Sequence, residues 1–317
     1  MNFTAFLSIV ATMFLLLFCG CLCKKWHIID DVASGRLSAL IIKVGQPALI
    51  VSAMLSAPYS PENLRLAGYA FLLGCFLHLF MAVIAYIFCK PIRNMEERKI
   101  LEFATVFTNC GFMGFPLLEA LMPGRGLFLG AFYMISFQLF IWSWGVAILA
   151  RKRDDIRLTP WKILVNFGSV PSLIGFLLFL LRLPFPDFVM PAPFTSFFSY
   201  LGGLCTPVSM LITGALIASY PAKAFFSAPR VWLISACKLL ILPFCVFGIT
   251  FALGLPTDFI LLATVEAALP SASTVVMMGE AYHVNPAFAA RVVGISSLLS
   301  VATMPLIIYA AQSLLHV

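Results

Sequence analysis

The sequence predicts an all-α integral membrane protein: ten transmembrane helices in two inverted five-helix repeats, with broken, crossing fourth and ninth helices. Three observations predict it. The chain of 317 residues is 62% hydrophobic and only 10% charged, where a soluble chain carries about 25% charged residues. Its mean hydropathy is +1.03, which is more apolar surface than a water-soluble fold of this size can hide. Its basic residues sit in short clusters on alternate connections between apolar runs, as topology signals do. These features exclude a soluble enzyme, a disordered chain and, despite a net charge of +7, a nucleic-acid-binding protein. A bilayer is crossed by about 20 apolar residues, so the length accommodates ten crossings and little else.

The apolar runs cover residues 3–23, 37–57, 66–89, 100–121, 127–150, 163–183, 194–218, 231–253, 257–281 and 288–315. The first has neither a basic start nor a small-residue cleavage site, so it reads as a retained helix rather than a signal peptide. Lys24, Lys25 and Arg36 follow the first run, and Lys90, Arg93, Arg98 and Lys99 the third. Arg151, Lys152, Arg153, Arg157 and Lys162 follow the fifth, Lys223 and Arg230 the seventh, and Arg291 the ninth. The other connections hold only Arg65, Arg125 and Arg182. Basic residues favour the cytoplasmic side, so both termini are expected on the non-cytoplasmic side of a plasma membrane.

The longest basic stretch, 151–162, divides the chain into a first repeat at 1–150 and a second at 163–317. An odd number of spans per half inserts the second half upside down. Gln46-Pro47 recurs as Thr206-Pro207, and Glu119-Ala120 as Glu280-Ala281, at offsets of 160 and 161 residues. Both offsets match the length of one half.

Inverted repeats place a site where a discontinuous helix from each half meets its mate near the bilayer midplane. The fourth run contains Thr108-Asn109-Cys110-Gly111 and the ninth Leu269-Pro270-Ser271-Ala272-Ser273. The repeat offset sets Pro270-Ser271 opposite Thr108-Asn109. Asn and Ser are N-cap residues, and Pro or Gly beside them frees backbone groups from the helical ladder. Two helix N-termini facing each other form an anion site. The candidate substrate contacts are Thr108, Asn109, Gly111, Pro270, Ser271 and Ser273, with the repeat-matched Gln46 and Thr206. The alternative is that these small residues only permit close packing or a kink.

Four ionisable side chains lie well inside apolar runs, away from their ends: Lys43, His78, Lys238 and Glu266. A charge at membrane depth marks a functional candidate. Lys43 is close enough to a span end to snorkel. His78 reads either as a helix-to-helix hydrogen-bond donor or as a switch. Lys238 can snorkel, neutralise Glu266 or attract an anion. Glu266 lies one turn before Pro270 on a stem too short to snorkel, and it can carry a coupling proton or form a fixed salt bridge with Lys238. Glu119 and Glu280, near span ends, are expected to be solvated. Nine cysteines show no C-x-x-C pair and read as small apolar fillers. Neither a metal nor a cofactor is expected, and without a phosphate-cradling motif ATP is not the energy source.

The stretch Asn109 to Leu118, NCGFMGFPLL, followed by Glu119-Ala120-Leu121, resembles the fourth-span signature of the auxin efflux carrier family. So do Trp142-Ser143-Trp144-Gly145-Val146, Ala267-Ala268-Leu269-Pro270, Pro286, Arg291-Val292-Val293, Ser297 and Pro305. The resemblance covers essentially the whole chain, and the short central loop is similar to the bacterial branch. It implies the ten-span inverted repeat and transport of small organic anions, such as malonate, malate or an auxin-like carboxylate. Thr108 stands where plant carriers tend to have Pro, so the fourth helix is expected to be less sharply broken. Glu266 stands where the family often has an uncharged polar residue, which opens the choice of proton, sodium or no coupling ion. The competing readings are a passive anion channel and a receptor or scaffold without transport. An intramembrane enzyme is excluded, because Asp30, Asp31, Asp154, Asp155 and His27 fall in basic loops and Asp187 in an opposite one, so no catalytic set assembles. Expected partners are the anion, a coupling ion, membrane lipid and a second copy of the chain, with no nucleic acid.

Overall fold

The computed structural model describes residues 3–56, 60–152, 161, 165, 166, 168–181, 185, 190–221, 223 and 229–316. Most of the 151–162 connection, together with Arg182 and Asp187, therefore lies outside the described residues. Those described form helices and no strand; extended pairing is confined to one isolated bridge. In chain order the helices are α1 (Phe3–Lys25), α2 (Asp31–Leu55), α3 (Pro61–Cys89), α4 (Met95–Val106), α5 (Cys110–Leu121) and α6 (Gly126–Ala150). They continue as α7 (Ser169–Leu180), α8 (Ala192–Ala218), α9 (Pro229–Ala252), α10 (Thr257–Ala268), α11 (Thr274–Ala281) and α12 (Pro286–Leu315). Seven of them (α1, α2, α3, α6, α8, α9 and α12) are long and apolar enough to cross a membrane. The outer faces of these helices and of α7 carry Leu15, Leu72, Leu79, Val83, Leu173, Leu177 and Leu233, all exposed, while Lys238, Glu266 and His78 are buried. That inverted distribution suits lipid as the surrounding medium. The protein is an integral membrane protein.

Helices begin earlier than hydropathy alone indicates, because their first turns are polar and capped. The Asp30 carboxylate accepts the Ala33 N–H (2.6 Å) at the head of α2, and Ser60 Oγ accepts Asn63 N–H (3.0 Å) ahead of Pro61. Asn94 Oδ1 takes the Glu96 and Glu97 amides. Each satisfies donors that a helix start leaves without partners.

Prolines explain most of the irregularities within spans. Wide π-helical turns at Ile41–Gly45, Cys110–Gly114 and Cys237–Ile241 each end two residues before a proline: Pro47, Pro116 and Pro243. Proline has no N–H and its ring pushes the carbonyl four residues back, so the preceding turn widens. A fourth such turn, Ile141–Gly145, has no proline after it. There Gly145 faces the Phe103 and Phe107 rings, which leave no room for a Cβ (2.8 and 3.0 Å).

α1 runs along α8, and α2 packs on both α7 and α8. The α1–α8 approach is closest where Gly20 faces the Leu211 carbonyl and Gly214 the Leu17 carbonyl. A Cβ at either glycine would fall within about 2 Å of that oxygen, so only glycine permits the contact. α3 packs on α6 and α4, and α9 on α10 and α12. The two broken elements, α4–α5 and α10–α11, lie among these helices.

Candidate functional site

The breaks fall at 107–109 and 269–273. Phe107 (φ −98°, ψ 106°) and Leu269 (φ −64°, ψ 148°) leave helical geometry for extended backbone. Thr108 and Ser271 then face each other in an antiparallel bridge. Asn109 N–H donates to the Pro270 carbonyl (2.9 Å), and Ala272 N–H to the Phe107 carbonyl (3.0 Å). A helix end leaves carbonyls and amides without partners, and each break supplies what the other lacks. The first break, where Thr108 stands, is three residues long against five at the second.

Side chains complete the junction. Ser271 Oγ donates to the Ala104 carbonyl at the end of α4 (2.8 Å), and its N–H is taken by Ser296 Oγ of α12 (3.1 Å). Lys238 of α9 donates to the Leu269 carbonyl (3.2 Å) and to Ser271 Oγ (3.3 Å). A cation beside the carbonyl end of α10 suits the helix dipole. One of the roles open to Lys238, a salt bridge with Glu266, is not formed: among the described residues no carboxylate lies within ion-pair distance of Lys238. Glu266 instead faces Gly114 across the bundle, where an added Cβ would stand 3.1 Å from Oε1. Both of its oxygens are buried without a hydrogen-bond partner.

The polar residues expected to cap the restarted helices occupy the cap positions without capping. Asn109, buried at the start of α5, makes no side-chain cap bond. Ser273, before α11, bonds instead to Thr213 Oγ1 of α8 (3.0 Å). Thr206, one face of α8 away, donates to the Phe112 carbonyl (2.9 Å). Pro116 deprives that carbonyl of its helical amide, so the threonine replaces a missing donor. Gly111 approaches Met134 so closely that a Cβ would lie 2.7 Å from its terminal methyl. Gln46 is buried beside Gly45, and Gly45 faces Cys205, the neighbour of Thr206. The two repeat-matched proline turns therefore meet.

His78 does not bridge helices. Its Nδ1 pairs with the Gly74 carbonyl of its own helix (2.6 Å), and its ring lies among Phe107, Tyr133, Phe137 and Phe140. Lys43 is exposed, as snorkelling requires. Glu119 accepts the Gly124 and Leu127 amides and closes a loop. The cysteines are free, and no three His, Cys, Asp or Glu residues gather to hold a metal among the described residues.

A cavity of about 400 Å³ reaches this junction, bounded by α2, α8, α11 and α12. Its lining includes Ser34, Ser38, Ser219, Tyr220, Glu280 and, at the inner end, Ser273. Three groups escaped sequence reasoning. Thr213 stands seven residues from Thr206 on one helix face, a spacing visible in the sequence. Tyr133, beside Thr108, carries no such signal. Glu102, buried, bridges Arg98 and Arg151 at 2.7 Å each and fastens α4 to the end of α6.

Apolar outer faces, interrupted helices joined at their breaks and a cavity reaching the junction are features of a membrane transporter. The chain belongs to the family described as Membrane transport protein, the auxin efflux carrier-like family, whose profile matches residues 5–308. Among its relatives, an "Uncharacterized transporter" of Methanothermobacter thermautotrophicus is 24% identical over 94% of this chain and 95% of that one. A "Putative malonate transporter" of Rhizobium meliloti is 24% identical over 96% of each. An uncharacterized transporter of Methanocaldococcus jannaschii is 22% identical over 95% of this chain and 97% of its own length. The protein is a transporter of a small molecule rather than an enzyme.

Proposed function

We propose that the protein is a secondary carrier of a small organic anion, such as malonate, malate or an auxin-like carboxylate, working by alternating access with the substrate at the junction of the breaks. The observation that carries this reading is the cavity ending at Ser273. It brings a serine-bearing path to a junction whose bonded cation, Lys238, has no acidic partner among the described residues. Asn109, Ser273 and the amides of the restarted helices supply donors; Thr108, Gly111, Pro270, Ser271, Gln46 and Thr206 shape the site around them. The name of the Rhizobium relative favours malonate as the first substrate to try.

In this reading ten spans form two inverted repeats, 1–150 and 163–317, joined by 151–162. The packing supports it. α1 against α8 exchanges with α7 against α2 when the halves are swapped, and α3 against α6 exchanges with α9 against α12. The cavity then opens to the cytoplasm and both termini lie outside, in a plasma membrane that is a bacterial inner membrane. Glu266, Lys238 and His78 are the coupling candidates, with proton or sodium as the ion. A passive channel fits less well, since Thr108 and Ser271 are buried and do not line the cavity.

Counterflow of labelled malonate, malate and indole-3-acetate in proteoliposomes tests the function. Accumulation of label against an internal pool of the same acid supports a carrier. Linear, unsaturable leakage of label would favour the channel.

A further inference from the structure

Buried polar atoms without partners are rare and each calls for an explanation. Seven side-chain atoms of this kind occur among the described residues: His78 Nε2, Thr108 Oγ1, Tyr133 Oη, both Glu266 oxygens, Thr303 Oγ1 and Gln312 Nε2. Five of the seven belong to four residues that adjoin one another. The Tyr133 hydroxyl lies beside Thr108 without a well-formed hydrogen bond, and Tyr133 adjoins Glu266. The His78 and Tyr133 rings stand 5.4 Å apart. The four residues come from α3, the first break, α6 and α10. Orphan polar atoms are therefore concentrated in one place, directly behind the bridge between Thr108 and Ser271.

We propose that Glu266, Tyr133 and Thr108, backed by His78, form a buried proton-binding site that loads one proton on the Glu266 carboxyl and exchanges it with the junction. An ionised carboxylate at this depth without a cation or donor is costly. The groups facing it supply none. α5 presents Cys110 and Gly114 and α6 presents Tyr133, while His78 of α3 lies behind the Tyr133 ring and is already bonded through Nδ1. Lys238 on α9 is held by Leu269 and Ser271, and α12 has no titratable residue between Arg291 and Tyr309. A proton needs no coordination sphere, whereas a metal ion would need several more oxygens than this close-packed corner offers. The hydroxyls of Tyr133 and Thr108 lead back to the bridge. Each can accept a proton on oxygen while passing its own to the next, so the chain ends with every oxygen as it began. Ser271, across the bridge, is two residues from Ser273 in the cavity wall.

The site deepens the carrier reading, which rests on transport, but its own test does not depend on finding the substrate. Infrared spectra of the purified protein in lipid, recorded across a pH series, should show a carboxylic-acid carbonyl band that Glu266→Gln removes. Tyr133→Phe should keep the band and shift it, because one neighbouring hydroxyl is gone. In proteoliposomes carrying labelled malonate, Glu266→Gln should retain exchange but lose accumulation driven by a proton gradient. Tyr133→Phe should slow that accumulation by up to roughly tenfold, the worth of one ordinary hydrogen bond formed as the proton passes. A spectrum unchanged by Glu266→Gln would overturn the site, as would malonate accumulation driven by a sodium gradient at equal pH. If Glu266→Gln does not fold, an unshifted band in Tyr133→Phe overturns it. If the parent protein moves no malonate, that substrate assignment fails and the infrared result still decides the proton site.

Discussion

The two breaks occupy corresponding places in their elements and share one bridge, yet they are held in different ways. The first, at 107–109, is braced by rings. Phe107 stacks near Phe103, Phe137 and His78, and Gly145 lets the Phe103 and Phe107 rings close on α6. The second, at 269–273, is braced by polar contacts with Lys238, Ser296, the Ala104 carbonyl and Thr213. The cavity reaches only the second. An aromatic brace is stiff and insensitive to charge, whereas hydroxyls and an ammonium can exchange one partner for another. The first break is thus suited to hold the junction in place, and the second to respond to an anion. The substitutions below separate these roles, from the largest expected effect to the smallest.

Asn109→Asp should have the largest effect. It preserves the shape of the first break and adds a negative charge where the anion is proposed to sit, so malonate binding should fall below detection. Asn109→Ala removes donors without adding charge. One charge-assisted hydrogen bond is worth about 1.5–3 kcal/mol, which corresponds to a roughly ten- to hundredfold weaker Kd. Equilibrium binding to the purified protein in detergent distinguishes the two variants. Equal affinity of Asn109→Asp and the parent would show that the anion does not contact this break.

Lys238→Met follows. It keeps the side-chain volume in α9 and removes the ammonium from the Leu269 carbonyl and Ser271. Loss of one charge-assisted contact predicts a roughly ten- to hundredfold rise in the malonate Kd, at the upper end if Lys238 meets the anion directly. The Leu269 carbonyl loses its donor, at a cost of about 1–3 kcal/mol, but no carboxylate is left unpaired, so folded protein should still be recovered. A large loss of yield with unchanged affinity in the protein recovered would make Lys238 a brace for α10 alone.

These two residues also show how far the sequence could be read. The breaks were legible because Pro270 and the glycines after Asn109 interrupt the fourth and ninth apolar runs. The existence of the spans was legible from hydropathy, although their capped polar starts at Asp30, Ser60 and Asn94 were not. The partner of Lys238 was not legible either. Whether its ammonium meets Glu266 or the Leu269 carbonyl depends on how α9 and α10 are rotated about their axes, and hydropathy does not encode that angle in helices buried on most sides. Tyr133 escaped for the same reason: one tyrosine in an apolar run acquires meaning only from Thr108 and Glu266 beside it. Thr213 could have been found, since its spacing from Thr206 puts two hydroxyls on one face of α8.

Those two threonines give the finest comparison, because α8 bonds one to each restarted helix. Thr206→Val removes the donor to the Phe112 carbonyl, which Pro116 has already deprived of its amide. A buried acceptor left unsatisfied costs about 1–3 kcal/mol, so thermal unfolding in detergent should move clearly downward. Thr213→Val breaks the bond to Ser273, but Ser273 lines the cavity and can find water instead. The cost there should be no more than about 1 kcal/mol, the net worth of an ordinary hydrogen bond. In transport the order should reverse. α8 must release whichever break moves during the cycle, and the contact beside the cavity is the one that an arriving anion would displace. Thr213→Val should therefore alter malonate exchange more than Thr206→Val does, while unfolding closer to the parent temperature. Equal shifts in stability and exchange for both variants would mean that the two breaks are mechanically equivalent, and that the difference between aromatic and polar bracing has no part in transport.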